Sequence, residues 1–185
     1  MSDQCSFDTH ETGETVKARL KYCGTNVTIY PLAKIVNSDV IKIGDYSMID
    51  DFTFINGGRG IDIGRYVHIA GFTSIIGGGE LVVKDYVVIG YGARIVTGTD
   101  DYHGGKRMST ALPELQRNVK RGRIVLEKDC FLGSNVVVHP NVTIGEGAII
   151  GSNSLVLKDV EPWSINVGNP SRKIGNRPKV KLADI

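Results

Sequence analysis

Aliphatic residues recur at every sixth position over most of the chain, and the whole pattern repeats about every 20 residues. The anchors run Cys23, Ile29, Ile35; Ile43, Ile49, Ile55; Ile63, Ile69, Ile75; and Val83, Ile89, Ile95. After a break they resume at Leu126, Leu132, Val138 and at Ile144, Ile150, Val156, now with a period of about 18. Four positions after an anchor comes a small or β-branched residue, as at Ser47, Thr53, Val67, Thr73, Ala93, Val136 and Ala148. One large and one small inward position per six residues predicts a core filled in layers. Repetition at a fixed period sets the architecture ahead of any local signal. Three hexads per repeat predict a chain that turns a corner every six residues and returns above itself, a triangular β-prism. Strands stacked about 4.8 Å apart would make six coils roughly 29 Å tall.

The corners carry their own signal. Gly44, Gly64, Gly90, Gly133, Gly145 and Gly151 follow anchors directly, where a tight turn needs a close or left-handed backbone. His139-Pro140-Asn141 places a proline at another corner. Residues 1–22 lack the hexad and form a pre-repeat segment. Within it, Thr15 to Tyr22 alternates polar and apolar, which favours a strand over a short helix. The prism is expected over residues 23–162 and a closing segment over 163–185, with the charged stretch from Arg177 to Ile185 fraying.

The break in the series is informative. The fourth coil runs from Val83 to Val125, so about 23 residues leave the prism there, as an inserted loop over residues 97–123. Loops beyond about 15 residues in compact domains are usually functional or disordered. This one holds His103, the pair Asp100 and Asp101, and a basic run from Arg117 to Arg123 suited to phosphates. The other histidines offer less. His10 precedes the repeat, His68 faces outward on a strand, and His139 sits at a corner.

Composition adds bounds. A chain of 185 residues suits one domain, and a net charge of +2 gives no electrostatic case for nucleic acid. No apolar run is long enough to span a bilayer and no apolar leader opens the sequence, so a cytoplasmic protein is expected. The three cysteines lack any CxxC or metal-type spacing. Cys23 and Cys130 fall at inward positions, where buried thiols are expected, and no metal site is expected.

The series aliphatic-Gly-x-x-small-x, as in Ile144-Gly145-Glu146-Gly147-Ala148-Ile149, resembles the hexapeptide-repeat acyltransferases, in particular the sugar O-acetyltransferases acting on galactosides and maltose. The similarity covers about residues 23–175. It implies an all-β fold, a left-handed parallel β-helix of about six coils with a long loop inserted in the fourth. That hand runs against the usual crossover rule and rests on the resemblance alone. Val167-Gly168-Asn169-Pro170-Ser171-Arg172 resembles the loop that closes such prisms.

The resemblance also implies an activity: direct transfer of an acetyl group from acetyl-CoA to a sugar hydroxyl or amine, in surface-polysaccharide or nucleotide-sugar metabolism. His103 takes the place of the general base, for which imidazole is suited by its ordinary pKa. One of Asp100 and Asp101 would orient its ring, in the manner of a third group behind a nucleophile and base. Ser134 and Ser152 match positions along the thioester and pantetheine arm, and Lys158 and Arg172 match cations near the phosphates of coenzyme A. Asn56 falls at an acceptor-contacting position. Ala70 and Gly78 stand where galactoside-binding relatives carry an asparagine and an aspartate, so another sugar is expected, such as a nucleotide-linked aminosugar. A projecting loop needs a second wall to enclose the cofactor, which favours a homotrimer with sites between subunits. Two other readings exist for such a prism. One is a non-catalytic assembly or binding module. The other is a γ-class carbonic anhydrase, which needs three histidines converging on zinc.

Overall fold

The computed structural model describes residues 12–182. Its strands form three parallel sheets, the three faces of a prism. The first face stacks Tyr22–Cys23, Ile41–Ile43, Gly60–Ile63, Glu80–Val83, Arg123–Leu126 and Thr143–Ile144. The second stacks Thr28–Ile29, Met48–Ile49, His68–Ile69, Val88–Ile89, Phe131–Leu132, Ile149–Ile150 and Ser164–Val167. The third stacks Lys34–Val36, Phe54–Asn56, Ser74–Ile76, Arg94–Val96, Val137–Val138 and Leu155–Val156. Six coils are complete. A seventh is partial, carried by the bridge from Ile144 to Val160 and by Ser164–Val167.

Anchor stacks on anchor throughout: Ile43 pairs with Ile63, Ile63 with Val83, Val83 with Leu126, and Leu126 with Ile144. The interior is one continuous column in which Ile35, Ile55, Ile95, Leu132 and Val138 have no exposed surface. The small inward positions, from Ser47 and Thr53 to Ala148 and Ser154, are buried as the hexad predicts. Their hydroxyls are satisfied by the main chain of a neighbouring coil, as in Ser47 Oγ donating to Gly64 O at 2.8 Å.

The corners work differently from the sequence expectation. The left-handed residue is rarely the glycine after the anchor; it is the third residue after it. Asn26, Tyr46, Phe52, Tyr66, Phe72, Tyr86, Asp129, Asn135, Asn141 and Asn153 all have φ between 53° and 62°. The glycine is needed for closeness. A Cβ on Gly90 would lie 2.7 Å from the carbonyl oxygen of Leu132 in the coil above.

Both ends depart from expectation. Gly13–Arg19 forms a 3-10 helix where alternation favoured a strand. The open end of the core decides this, because Val16 turns fully inside and Gly13 N–H donates to Ala33 O at 3.0 Å. Arg172–Asn176 returns antiparallel beside Ser164–Val167. Arg177, expected to fray, is pinned instead: its guanidinium donates to Asp129 O at 2.9 Å and lies 5.8 Å from the Trp163 ring centroid. His10 lies outside the described residues.

Candidate active site

The inserted loop leaves the third face as a two-stranded antiparallel ladder, Gly98–Asp100 against Val119–Arg121. Its base is stapled to the prism by Gly122 N–H donating to Thr97 O at 2.7 Å and Gly79 N–H donating to Thr97 Oγ1 at 2.9 Å. Gly77 has φ +103°, and a Cβ there would meet Gly98 N at 2.2 Å, so only glycine lets the ladder cross this corner. Above the ladder, Asp100 and Arg117 form a bidentate pair at 3.2 and 2.7 Å, and both side chains are close to nine-tenths buried. Removing either partner would leave an uncompensated charge, so this pair fixes the stem of the loop.

A cavity of about 520 Å³ opens beside the stem. Asn56, Thr99, Asp100, Thr110, Arg117 and Arg121 supply its polar lining and Ile76 and Val96 its apolar floor. Arg121 is engaged by Glu114, whose carboxyl is held below its usual range by that contact. The cavity thus unites Asn56 and Asp100, two of the residues singled out in the sequence.

His103 stands farther out, exposed on the loop tip, and its imidazole has no hydrogen-bond partner among the described residues. The two carboxylates near it in sequence are otherwise committed. Asp100 is taken by Arg117. Asp101 accepts from Lys120 Nζ at 2.8 Å, from Asn118 Nδ2 at 3.2 Å and from the main-chain N–H of His103 at 3.0 Å. The Lys120 contact, followed by the His103 N–H, holds the Asp101 carboxyl below its usual range. Asp101 therefore positions the main chain of His103 and not its ring.

On the corner between the second and third faces, Ser134 and Ser152 lie on successive coils, joined by Asn153 N–H donating to Ser134 O at 2.9 Å. Beyond them, at the C-terminal end, Lys158 and Arg172 line a pocket of about 210 Å³ with Asn166, Pro170 and Ser171. Among the described residues, the Ser171 hydroxyl is buried with no hydrogen-bond partner. A buried orphan hydroxyl between two cations fits a polar, anionic ligand group that would complete its bonding. The four residues matched to coenzyme A contacts therefore fall into two places, a corner column and a terminal pocket.

Neither described cysteine is poised as a nucleophile. Cys130 is buried and its thiol is pushed far up by desolvation; Cys23 is half-buried and raised for the same reason. Among the described residues no group of three or more His, Cys, Asp or Glu is arranged to hold a metal. His68 is paired with Asp50, Nε2 to Oδ2 at 3.1 Å, and His139 is half-buried with its main-chain N–H donating to Val156 O at 3.0 Å. No helix is long and apolar enough to cross a membrane.

Sequence reasoning put Arg117 in a basic run suited to phosphates and missed its pairing with Asp100, because a cation in such a run carries no mark of a partner 17 positions away. It also missed the aromatic corners. There a signal existed: Tyr46, Tyr66 and Tyr86, and Phe52 and Phe72, repeat at the coil period.

The bacterial transferase hexapeptide model (six repeats) matches residues 123–158. A dTDP-4-amino-4,6-dideoxy-D-glucose acyltransferase from Escherichia coli is 36% identical over 163 residues, spanning 88% of this chain and 85% of that protein. A chloramphenicol acetyltransferase from Agrobacterium fabrum is 33% identical over about half of each chain. Among solved structures, AntD, an N-acyltransferase from Bacillus cereus in complex with dTDP and 3-hydroxybutyryl-CoA, superposes with a TM-score of 0.83 at 36% identity. That match covers 88% of this chain and 86% of AntD. A variant of AntD in complex with dTDP-4-amino-4,6-dideoxyglucose and coenzyme A matches equally well, covering 87% of that chain. Together with the stacked hexads and a loop stem built beside a polar cavity, this similarity over nearly the whole length shows that the chain belongs to the hexapeptide-repeat acyltransferases.

Proposed function

We propose that the protein is an N-acyltransferase that acylates the amine of a dTDP-linked aminosugar. The observation that carries this reading is the near full-length similarity to the E. coli dTDP-4-amino-4,6-dideoxy-D-glucose acyltransferase and to AntD. The loss of the galactoside-binding pattern at Ala70 and Gly78 agrees with it. Acyl-CoA is the co-substrate, with acetyl and 3-hydroxybutyryl groups as the donors to test. Ser134 and Ser152 line its thioester arm, and Lys158, Ser171 and Arg172 hold its phosphates.

In this reading the neutral sugar amine attacks the thioester carbon, forming the C–N bond. His103 takes a proton from the nitrogen, and collapse of the tetrahedral adduct breaks the C–S bond. The thiolate then takes up a proton to leave as free coenzyme A. Asn56 contacts the acceptor in the cavity beside the stem, whose wall the Asp100–Arg117 pair holds in place, and Asp101 sets the main chain of His103. An exposed imidazole on a projecting stem needs a facing wall, which a homotrimer supplies from the neighbouring prism. The location consistent with acyl-CoA and nucleotide-sugar substrates is the cytoplasm.

The test is thiol release from acetyl-CoA and 3-hydroxybutyryl-CoA with dTDP-4-amino-4,6-dideoxyglucose as acceptor, against dTDP-glucose as an amine-free control. Release that requires the amine supports the proposal. Equal release with dTDP-glucose would establish O-transfer instead.

A further inference from the structure

Asn56 meets the cavity beside the stem with its carboxamide already set. Its strand, Phe54–Asn56, lies on Lys34–Val36 with Asn56 level with Val36, so Asn37 follows directly after its partner in the coil below. Asn56 Oδ1 accepts twice, from Asn37 Nδ2 at 2.9 Å and from the main-chain N–H of Gly58 at 3.1 Å. A main-chain N–H can only donate, so the side-chain atom that faces it is the oxygen. Both acceptor positions of Oδ1 are then filled. Nδ2, at the other end of the amide, has no partner among the described residues.

Asn37 is itself held in place. Its φ of 53° is left-handed, a conformation asparagine tolerates, and the 3-10 turn Ser38–Val40 follows at once. Its carbonyl oxygen is pressed beneath the next coil, where a Cβ on Gly57 would lie 2.2 Å from it. Within the cavity lining, the Asp100 carboxylate is committed, one oxygen to Nε and the other to Nη2 of Arg117. The groups left to a ligand there include the Asn56 Nδ2 and the hydroxyls of Thr99 and Thr110.

We propose that Asn37, which does not line the cavity, is a positioning residue that locks Asn56 as a hydrogen-bond donor, so that Asn56 recognises an oxygen of the acceptor through its lone pair; this rests on the reading that Asn56 contacts the acceptor. A carboxamide free to turn offers its oxygen or its nitrogen and must be ordered when the ligand binds. One fixed by two donors recognises a single polarity and is ordered beforehand.

The experiment measures thiol release from acetyl-CoA with dTDP-4-amino-4,6-dideoxyglucose, using Asn37→Gly, Asn56→Asp and the double variant. Glycine keeps the left-handed backbone and removes only the side chain. Aspartate at position 56 retains an oxygen for Gly58 and Asn37 but carries no donor, and its two oxygens are equivalent, so nothing remains for Asn37 to orient. Asn56→Asp should raise KM for the acceptor about 10-fold, and Asn37→Gly about 3-fold because Gly58 still holds Oδ1, with KM for acetyl-CoA unchanged in both. The double variant should match Asn56→Asp alone, since both changes act through one contact. Asn37→Asp, isosteric and tolerant of the same backbone, turns the contact into a repulsion and should raise KM for the acceptor further than Asn37→Gly. An added 3-fold in the double variant would make Asn37 merely structural and overturn the proposal. Acceptor KM at the wild-type value in both Asn37 variants, with Asn56→Asp impaired, would also overturn it. If Asn56→Asp leaves that KM unchanged, or the wild-type protein does not turn over this acceptor, the underlying reading fails and the positioning role with it.

Discussion

A tyrosine in the left-handed region is unfavourable, because its Cβ crowds the following carbonyl. This protein places three such tyrosines one above another, and the stack explains why they persist. Tyr46, Tyr66 and Tyr86 lie 4.9 and 5.3 Å apart between centroids and within 10° of parallel, with Lys128 over the last ring. Each stacked pair contributes about 0.5–1.5 kcal/mol, which offsets part of a strain of about 1–2 kcal/mol per tyrosine. Tyr66 makes two such contacts. Tyr66→Asn should therefore lower stability modestly, trading two stacks for an easier backbone. Tyr66→Val should cost more, since a β-branched residue loses the stacks and keeps the strain. Thermal unfolding of the two variants side by side checks the order. At the reacting end, replacing His103 by Ala should lower kcat about 10²- to 10⁴-fold with acyl-CoA affinity little changed. Near-normal turnover in that variant would remove His103 from the chemistry.

At the scale of elements, the loop stem and the prism are separable in energy. The prism is held by apolar stacking, whereas the stem hangs on the buried Asp100–Arg117 pair. Arg117→Ala should leave the cooperative unfolding of the prism in place but expose the loop to proteolysis between residues 101 and 118, and lower kcat with it. Limited digestion followed by activity measurement separates the two effects. The loop tip should also respond to acid. Asp101 has a folded value below its ordinary one, so its contribution is fully present above about pH 4 and is lost as pH falls through the folded value. Amide exchange near His103 should quicken on acidification in the native protein and show a smaller change in Lys120→Ala. Much of the prism was legible in the sequence because every turn repeats one instruction: a large residue, a small residue, a corner. The 3-10 helix at Gly13–Arg19 was not, because a single inward residue, Val16, decides it and leaves no period to read. Nor was the stem, whose key contact joins residues with no shared spacing.

For the whole molecule, the two ends of the cofactor arm test its placement. Lys158→Ala with Arg172→Ala should raise KM for acyl-CoA several-fold with little change in kcat, because phosphate contacts far from the reacting carbon favour ground and transition states alike. Short acyl thioesters without the nucleotide should be indifferent to the change. Light scattering should give three times the chain mass if a neighbouring prism faces the exposed loop as proposed. Candidate site residues were legible only where a motif fixed their positions. Ser134 and Ser152 share an edge because the hexad puts them there, but the cavity that unites Asn56 with Asp100 and Arg117 emerges only when the loop stem folds against the prism.

The alignment of coil on coil makes the molecule a measured rod. Because Ile43 rests on Ile63 and Ile63 on Val83, the stretch from Gly44 to Ile63 is a module whose removal would bring matching edges together. Its deletion would also carry away Phe52 and shorten the corner by one step. The prism can change height only in whole turns, since a strand slipped by any other amount would send inward residues to the surface, whereas extra residues between strands leave as loops, as at 97–123. The height between residues on different coils of one corner is thus quantised. Moving two of them closer or farther apart calls for the loss or gain of a complete turn, with the coils at either end left untouched.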